Sequence, residues 1–317
     1  MKKKMLICGA AGFIGRNIAE FFADKQQYQV YGTYHRSKPL DHPNIKMIRA
    51  DLTDRADVNA CVKGMDILIQ AAATTSGARD IVNSPAYHVT DNALINALVF
   101  RAAYEEKLSH VLFFSCTTMY QSAVEPVKET DFDANAKIQD CYFGGAWTKV
   151  YNEKMCEFYA AQGNTKFTAA RHSNIYGPYD KYDLHRSHVF GATVTKVETA
   201  AEGDSIVVWG DGSQGRDMLY VSDLVDFVQL ALERQKAGFE LFNVGCGSAV
   251  TVKDMVSKII KESGKNLIME FDPSKPSINT SLCLDSSRAH KLLGWHAKVS
   301  FEDGIRETLN WYRNKGQ

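Results

Sequence analysis

Apolar and polar positions divide the chain into short apolar runs separated by longer stretches of helical period. Met5–Cys8 is an apolar run, and 13–24 repeats its apolar residues at the spacing of one helix face. Tyr28–Tyr34 alternates with period two. Lys46–Ala50, Asp66–Ala71, His110–Ser115 and Phe167–Arg171 read as further strands, with helices predicted over 54–63, 83–106 and 146–162. Strand–helix alternation predicts parallel βαβ units with right-handed crossovers, and so a doubly wound α/β sheet covered on both faces.

Beyond about residue 177 the loops lengthen. Helices near 188–202, 222–236, 251–263 and 301–313 alternate with short strands near 206–209 and 267–271. The expected division is a first unit over 1–176, with 217–244 returning to its sheet, and a smaller C-terminal α/β unit from 177–216 and 245–317. No internal repeat or low-complexity tract interrupts either part.

Composition narrows the function. The 317 residues carry 37 Lys and Arg against 37 Asp and Glu, a net charge of zero, with 45% apolar and 23% charged residues. These proportions exclude a disordered chain, and no window approaches the roughly 18 uncharged apolar residues of a membrane helix. Neutrality gives no reason to expect nucleic acid or an anionic membrane as partner. Seven scattered Cys with no C-x-x-C pair suit a reducing cytoplasm, and no metal site is expected. The opening MKKKMLICGAAGFIG imitates a signal peptide, but its apolar run breaks at Gly9 and meets Arg16 soon after, so a strand followed by a glycine loop is expected.

That loop, Gly9-Ala10-Ala11-Gly12-Phe13-Ile14-Gly15, follows the first strand and opens the first helix. A tight turn, a close backbone approach to a pyrophosphate and close helix–strand packing each need a glycine, and the helix start supplies free N–H groups. The expected fold is therefore Rossmann-type. Asp51 and Leu52 follow the third strand, as an adenine contact would. Ala71, Ala72 and Ala73 follow the fourth, where small side chains admit a cofactor. The second strand ends without a carboxylate between 30 and 37 but with Arg36, which suits the 2′-phosphate of NADP better than the ribose hydroxyl of NAD, or is a surface Arg in a turn. NADP is favoured, with NAD possible.

These residues, with DLTD, AAA, FFSCTTMY, WTKVYNEKMCE, RHSNIYGP and WGDGSQGRDMLYVSDLV, resemble the extended short-chain dehydrogenase/reductase family of nucleotide-sugar epimerases and dehydratases. Within it, the spacing from Asn174-Ile175-Tyr176-Gly177-Pro178 to Ser187-His188-Val189, the pair Trp209 and Arg216, and the late Phe271–Pro276 resemble the GDP-L-fucose synthase subfamily. The resemblance implies NAD(P)-dependent hydride transfer at a sugar carbon, usually C4, of a nucleotide-activated hexose. It implies an acid/base group at the attached oxygen, from Tyr-x-x-x-Lys on one helix. It places Lys149 on the nicotinamide ribose, with Asn92 and Asn174 on the cofactor side. Thr118, Asn174, His188, Val189, Lys196, Trp209 and Arg216 fall on the substrate side, Arg216 meeting the pyrophosphate or making a turn salt bridge. A homodimer is implied by helices 91–106 and 146–162, which carry apolar residues on more than one face.

The motif tyrosine is missing. Lys149 is followed by Glu153 as the pattern requires, but Gly145 stands four residues before it. Tyr142 lies seven residues before Lys149, about 10 Å along a helix axis, and would reach only if 143–145 were non-helical. The serine or threonine position before Tyr120 holds Cys116, followed by Thr117 and Thr118, and Thr118 replaces the cysteine that would partner His188 in epimerisation. Three readings stay open: a substitute base among Tyr142, Cys116, His188 or a water, with Thr117 nearby; a natural or engineered knock-out; or a non-catalytic sensor of NADP(H).

Overall fold

A computed structural model describes residues 2–75, 86, 89–184, 187–275 and 280–314. The first half alternates β1 (Lys3–Cys8), α1 (Phe13–Ala23), β2 (Tyr28–Tyr34), β3 (Ile45–Arg49), α2 (Arg55–Val62), β4 (Ile67–Gln70), α3 (Thr90–Glu105), β5 (His110–Phe114), α4 (Phe143–Gln162) and β6 (Lys166–His172). After β7 (Asn174–Tyr176) come α5 (Val189–Thr199), β8 (Ser205–Trp209), β9 (Gly215–Tyr220), α6 (Val221–Arg234), β10 (Phe239–Val244) and β11 (Ala249–Thr251). The chain ends with α7 (Val252–Ser263), β12 (Ile268–Asp272), α8 (Ser287–Leu293) and α9 (Phe301–Asn314).

Seven strands form one parallel sheet in the order β10-β6-β5-β4-β1-β2-β3, a Rossmann-type doubly wound arrangement. β1 shows why its residues are apolar throughout. Met5 and Ile7 face a core built with Ile18, Phe22, Phe227 and Trp295, while Leu6 and Cys8 face the opposite core with Val99, Phe100, Phe113 and Phe167. A central strand buried on both faces cannot alternate. The strand order reverses between β1 and β4, where such sheets leave a crevice at their carboxyl ends.

A third core gathers Phe190, Val194, Met255, Ile259, Ile305 and Leu309 from α5, α7 and α9. It carries a three-stranded sheet, β11-β9-β7, and the pair β12-β8. Within 217–244, residues 239–244 join the seven-stranded sheet beside β6, whereas 218–220 pair with β7 and Asp217 with β11 in the three-stranded one. Strands of three residues are too short for alternation to reveal, so β7 and β11 had no sequence signal. Of the predicted helix 83–106, residues 83–85 and 87–88 lie outside the described residues, as does Pro276.

α4 begins three residues earlier than its predicted start at 146. Tyr142 is its N-cap, and Ala146 N donates to Tyr142 O at 2.8 Å. Both glycines are helical. Gly144 earns its place by packing, since a β-carbon there would fall 2.7 Å from Val89 Cγ2. Tertiary contact overrides the weak helix propensity of glycine.

Candidate functional site

The glycine loop closes on itself and on the next loop. Gly9 has φ +75°, and a β-carbon on it would lie 2.7 Å from Ala72 Cα. Gly12 N donates to Gly9 O at 2.9 Å, and a β-carbon on Gly15 would lie 2.2 Å from Gly9 O. The buried Thr33 hydroxyl accepts from Gly9 N at 2.9 Å. Gly12 is the N-cap of α1; no side chain caps it, and the first turn, with Phe13 and Ile14, holds no acidic residue. Such a helix start fits the diphosphate of a dinucleotide, whose charge its N–H groups and dipole favour.

The other cofactor-side candidates border this loop or the neighbouring strand ends. Asn92 is buried and clamps the loop holding Ala71, Ala72 and Ala73: its Oδ1 accepts from Thr74 N at 2.8 Å and its Nδ2 donates to Thr74 O at 2.9 Å. Ala11 is partly exposed beside Gly12, Leu52 is buried, and Arg36 is exposed past β2. Asp51 accepts from the Thr53 hydroxyl at 2.6 Å, and that bond holds its carboxyl below the usual range, aided by His35 and Arg36.

Lys149 sits at the base of the crevice. Its ammonium donates to Phe114 O at 2.8 Å and lies 4.7 Å from the Phe113 ring centroid. Burial lowers its pKa, while Cys116 and Glu153 act in the opposite direction. Cys116 Sγ lies 3.0 Å from Thr118 Oγ1. Position 145 is open: a β-carbon there meets nothing within 4 Å.

Beside Cys116 a polar pocket of about 100 Å³ is lined by Thr117, Thr118, Tyr142, Ser173, Asn174 and Arg216, among others. Tyr142 therefore reaches the pocket even though 143–145 is helical, because as N-cap it stands at the end of α4 rather than along its side. Burial pushes the Tyr142 hydroxyl up to about 12 against the pull of Arg216. Asn174 Nδ2 donates to Asp217 O at 3.1 Å, and Arg216 donates to Gly215 O at 2.8 Å.

The other substrate-side candidates are not among the residues that line this pocket. His188 is the exposed N-cap of α5, followed by exposed Val189. Lys196 donates to Val207 O at 2.8 Å, and Trp209 is exposed at the end of β8. A larger hollow of about 570 Å³ lies at the opposite, amino ends of β1 and β2, lined by Lys3 and Tyr28. Parallel sheets bind ligands at the other edge.

Three residues of this region, Arg171, His172 and Ser173, lie inside the RHSNIYGP motif but were given no role from it. His172 ends β6; burial holds it down to about 4, helped by the charges of Lys149 and His188, although its ring bond to Ser173 O at 2.8 Å opposes this. Ser173 follows it into the pocket. Below them, buried Arg171 meets Glu153 at 2.6 Å through Nη2 and 2.9 Å through Nε, and Ser115 donates to the same carboxylate at 2.5 Å. Arg171 also donates to the Tyr120 hydroxyl at 2.8 Å. This network fixes β5, β6 and α4 relative to one another; its members fall in the motifs FFSCTTMY, WTKVYNEKMCE and RHSNIYGP, but only the position of Glu153 after Lys149 was read from them.

A diphosphate-accepting helix start joined to a polar pocket across the carboxyl edge of a parallel sheet defines a dinucleotide-binding α/β protein. The model of the NAD dependent epimerase/dehydratase family matches residues 5–245, and the chain belongs to that family. It is 26% identical over 317 residues to the GDP-L-colitose synthase of Yersinia pseudotuberculosis, covering 98% of each chain. It is 30% identical over 267 residues to the putative GDP-L-fucose synthase 2 of Arabidopsis thaliana, covering 83% of this chain and 80% of that one. Among solved structures, the UDP-glucose 4-epimerase of Thermotoga maritima with UDP-glucose superposes with a TM-score of 0.86 at 23% identity, covering 99% and 100% of the two chains. Among the described residues, no helix is long and apolar enough to cross a membrane.

Proposed function

We propose that the chain is an NAD(P)-dependent oxidoreductase acting at C4 of a nucleoside-diphosphate hexose, GDP-linked, with NADP as its preferred dinucleotide. The observation that carries this reading is the meeting of Thr117, Thr118, Tyr142, Asn174 and Arg216 around one polar pocket near Lys149 and Cys116. The GDP-sugar names among the relatives support the choice of nucleotide.

A bound NAD(P) would supply the hydride chemistry; the rest falls to this chain. The first turn of α1 holds the diphosphate of the dinucleotide and Arg36 meets its 2′-phosphate. Lys149, steadied by Phe114 O, holds the ribose. Arg216 brings a fixed positive charge to the sugar nucleotide's diphosphate. Tyr142 keeps its proton through the physiological range, so it serves as a donor to a sugar oxygen rather than as a standing base. Cys116 is within electrostatic reach of both Tyr142 and Lys149. The division at residue 176 and a homodimer belong to the same reading.

Gly145 favours a second reading, a non-catalytic NADP(H)-sensing protein of the same fold, because the phenol expected one turn before Lys149 is absent. Incubation with NADP⁺ or NADPH and a panel of GDP-sugars separates the two. Change in the absorbance of the reduced cofactor supports the enzyme. Dinucleotide binding with neither turnover nor calorimetric binding of any sugar nucleotide supports the sensor.

A further inference from the structure

Ser173 lies between β6 and β7 on the wall of the polar pocket. It is 4% exposed, and its Oγ has no hydrogen-bond partner among the described residues. Its backbone is held firmly: Ser173 N donates to Val244 O at 3.0 Å, and Ser173 O meets the His172 ring at 2.8 Å. A buried hydroxyl without a partner is destabilising, and that loss is removed when a ligand oxygen pairs with it. The hydroxyls of Thr117 and Tyr142 line the same pocket, and neither bonds a described residue. Three hydroxyls, each able to donate and accept, match a polyol. An anion would call for cations, and Arg216 supplies the pocket's positive charge from β9.

We propose that Ser173 is a specificity-determining residue whose buried hydroxyl hydrogen-bonds a ring hydroxyl of the hexose, so that it reads the sugar and not the nucleotide. This rests on the nucleotide-sugar reading above. It predicts an unusual pairing of effects. Removing the hydroxyl weakens sugar-nucleotide binding without weakening the fold.

The test is calorimetric titration of wild type and Ser173→Ala with GDP-L-fucose, GDP, UDP-glucose, UDP and NADPH, together with the melting temperature of each ligand-free protein. The expected result is a Kd about three- to tenfold weaker for whichever sugar nucleotide wild type binds, the loss of one uncharged hydrogen bond. The Kd for the matching nucleoside diphosphate and for NADPH stays unchanged, and the melting temperature does not fall. An unchanged sugar-nucleotide Kd overturns the proposal. So does an equal loss for the nucleoside diphosphate alone, or a fall in melting temperature, which would give the hydroxyl a structural role. If wild type binds NADPH but no sugar nucleotide, the nucleotide-sugar reading fails and takes this proposal with it; that failure is visible without the variant.

Discussion

Gly145 stands one turn before Lys149 on the same helix, and a β-carbon built on it meets no atom within 4 Å; the neighbouring Gly144 would drive one to 2.7 Å from Val89 Cγ2. Two adjacent glycines thus have different reasons to be there. Gly145→Ala should raise stability by about 0.5–1 kcal/mol, the propensity difference in a helix. Gly144→Ala should lower it, because Val89 must move. Denaturant midpoints of the two variants check this, and shifts of the same sign would contradict it.

The open space at 145 also bears on the chemistry. Tyr142→Phe should reduce the turnover rate by about 10²-fold, the lower end of what an acid/base group contributes, while NADPH affinity stays the same. Adding Gly145→Tyr to that variant places a phenol one turn before Lys149 and should recover at least about tenfold of the loss. Absorbance of the reduced cofactor reads both steps. Full activity in Tyr142→Phe would remove this residue from the reaction.

Arg36 is exposed past the end of β2, with no carboxylate between 30 and 37 to read a ribose hydroxyl. Arg36→Ala should weaken NADPH binding by about tenfold through loss of a charge-assisted contact, leaving NADH binding unchanged. Fluorescence titration of the two reduced dinucleotides distinguishes this from a surface arginine, for which neither affinity would move.

The sheet and the glycine loop were legible because each rests on local pattern: Met5–Cys8 must be apolar on both faces, and Gly9 and Gly15 sit where any side chain collides with backbone. Lys149 was legible through its spacing to Glu153. The start of α4 was not, since two adjacent glycines argue against a helix locally, and the reason for glycine at 144 is the close approach of Val89, 55 positions away. Ser173 and His172 stand in the RHSNIYGP motif, yet it assigned them no role, for a related reason. Their meaning comes from burial at the end of β6, which no spacing encodes.

Leu94 on α3 and Tyr151 and Phe158 on α4 are exposed, Phe158 at 56%, on two helices that pack against each other. Tyr151 and Phe158 are seven residues apart, one helix face. A second copy of the chain would cover this apolar face, as the homodimer reading requires. Phe158→Glu should turn a dimer into a monomer, read by light scattering at micromolar concentration. A wild type that is already monomeric there would refute the dimer.

His110 gives the fold a predictable response to acid. Its ring Nε2 lies 2.8 Å from the Thr168 hydroxyl, which itself donates to Gln235 Oε1, so the histidine nitrogen is the donor of this pair. Burial holds His110 down from 6.5 to about 4, with Lys166 and Lys3 adding to the effect and Gln235 opposing it. Between these values the unfolded chain binds a proton that the folded chain refuses. The stabilisation is therefore complete above about pH 6.5 and is lost as the pH falls to about 4, about 3 kcal/mol for a shift of this size. His172, held down to about 4, acts in the same sense. Asp180, which burial raises to about 7, acts in the opposite sense and offsets part of the loss. His110→Gln keeps a donor for Thr168 but cannot titrate, so its melting temperature should fall less steeply than that of wild type between pH 6.5 and 4. Parallel curves for the two proteins would mean that His110 already carries its proton in the folded state.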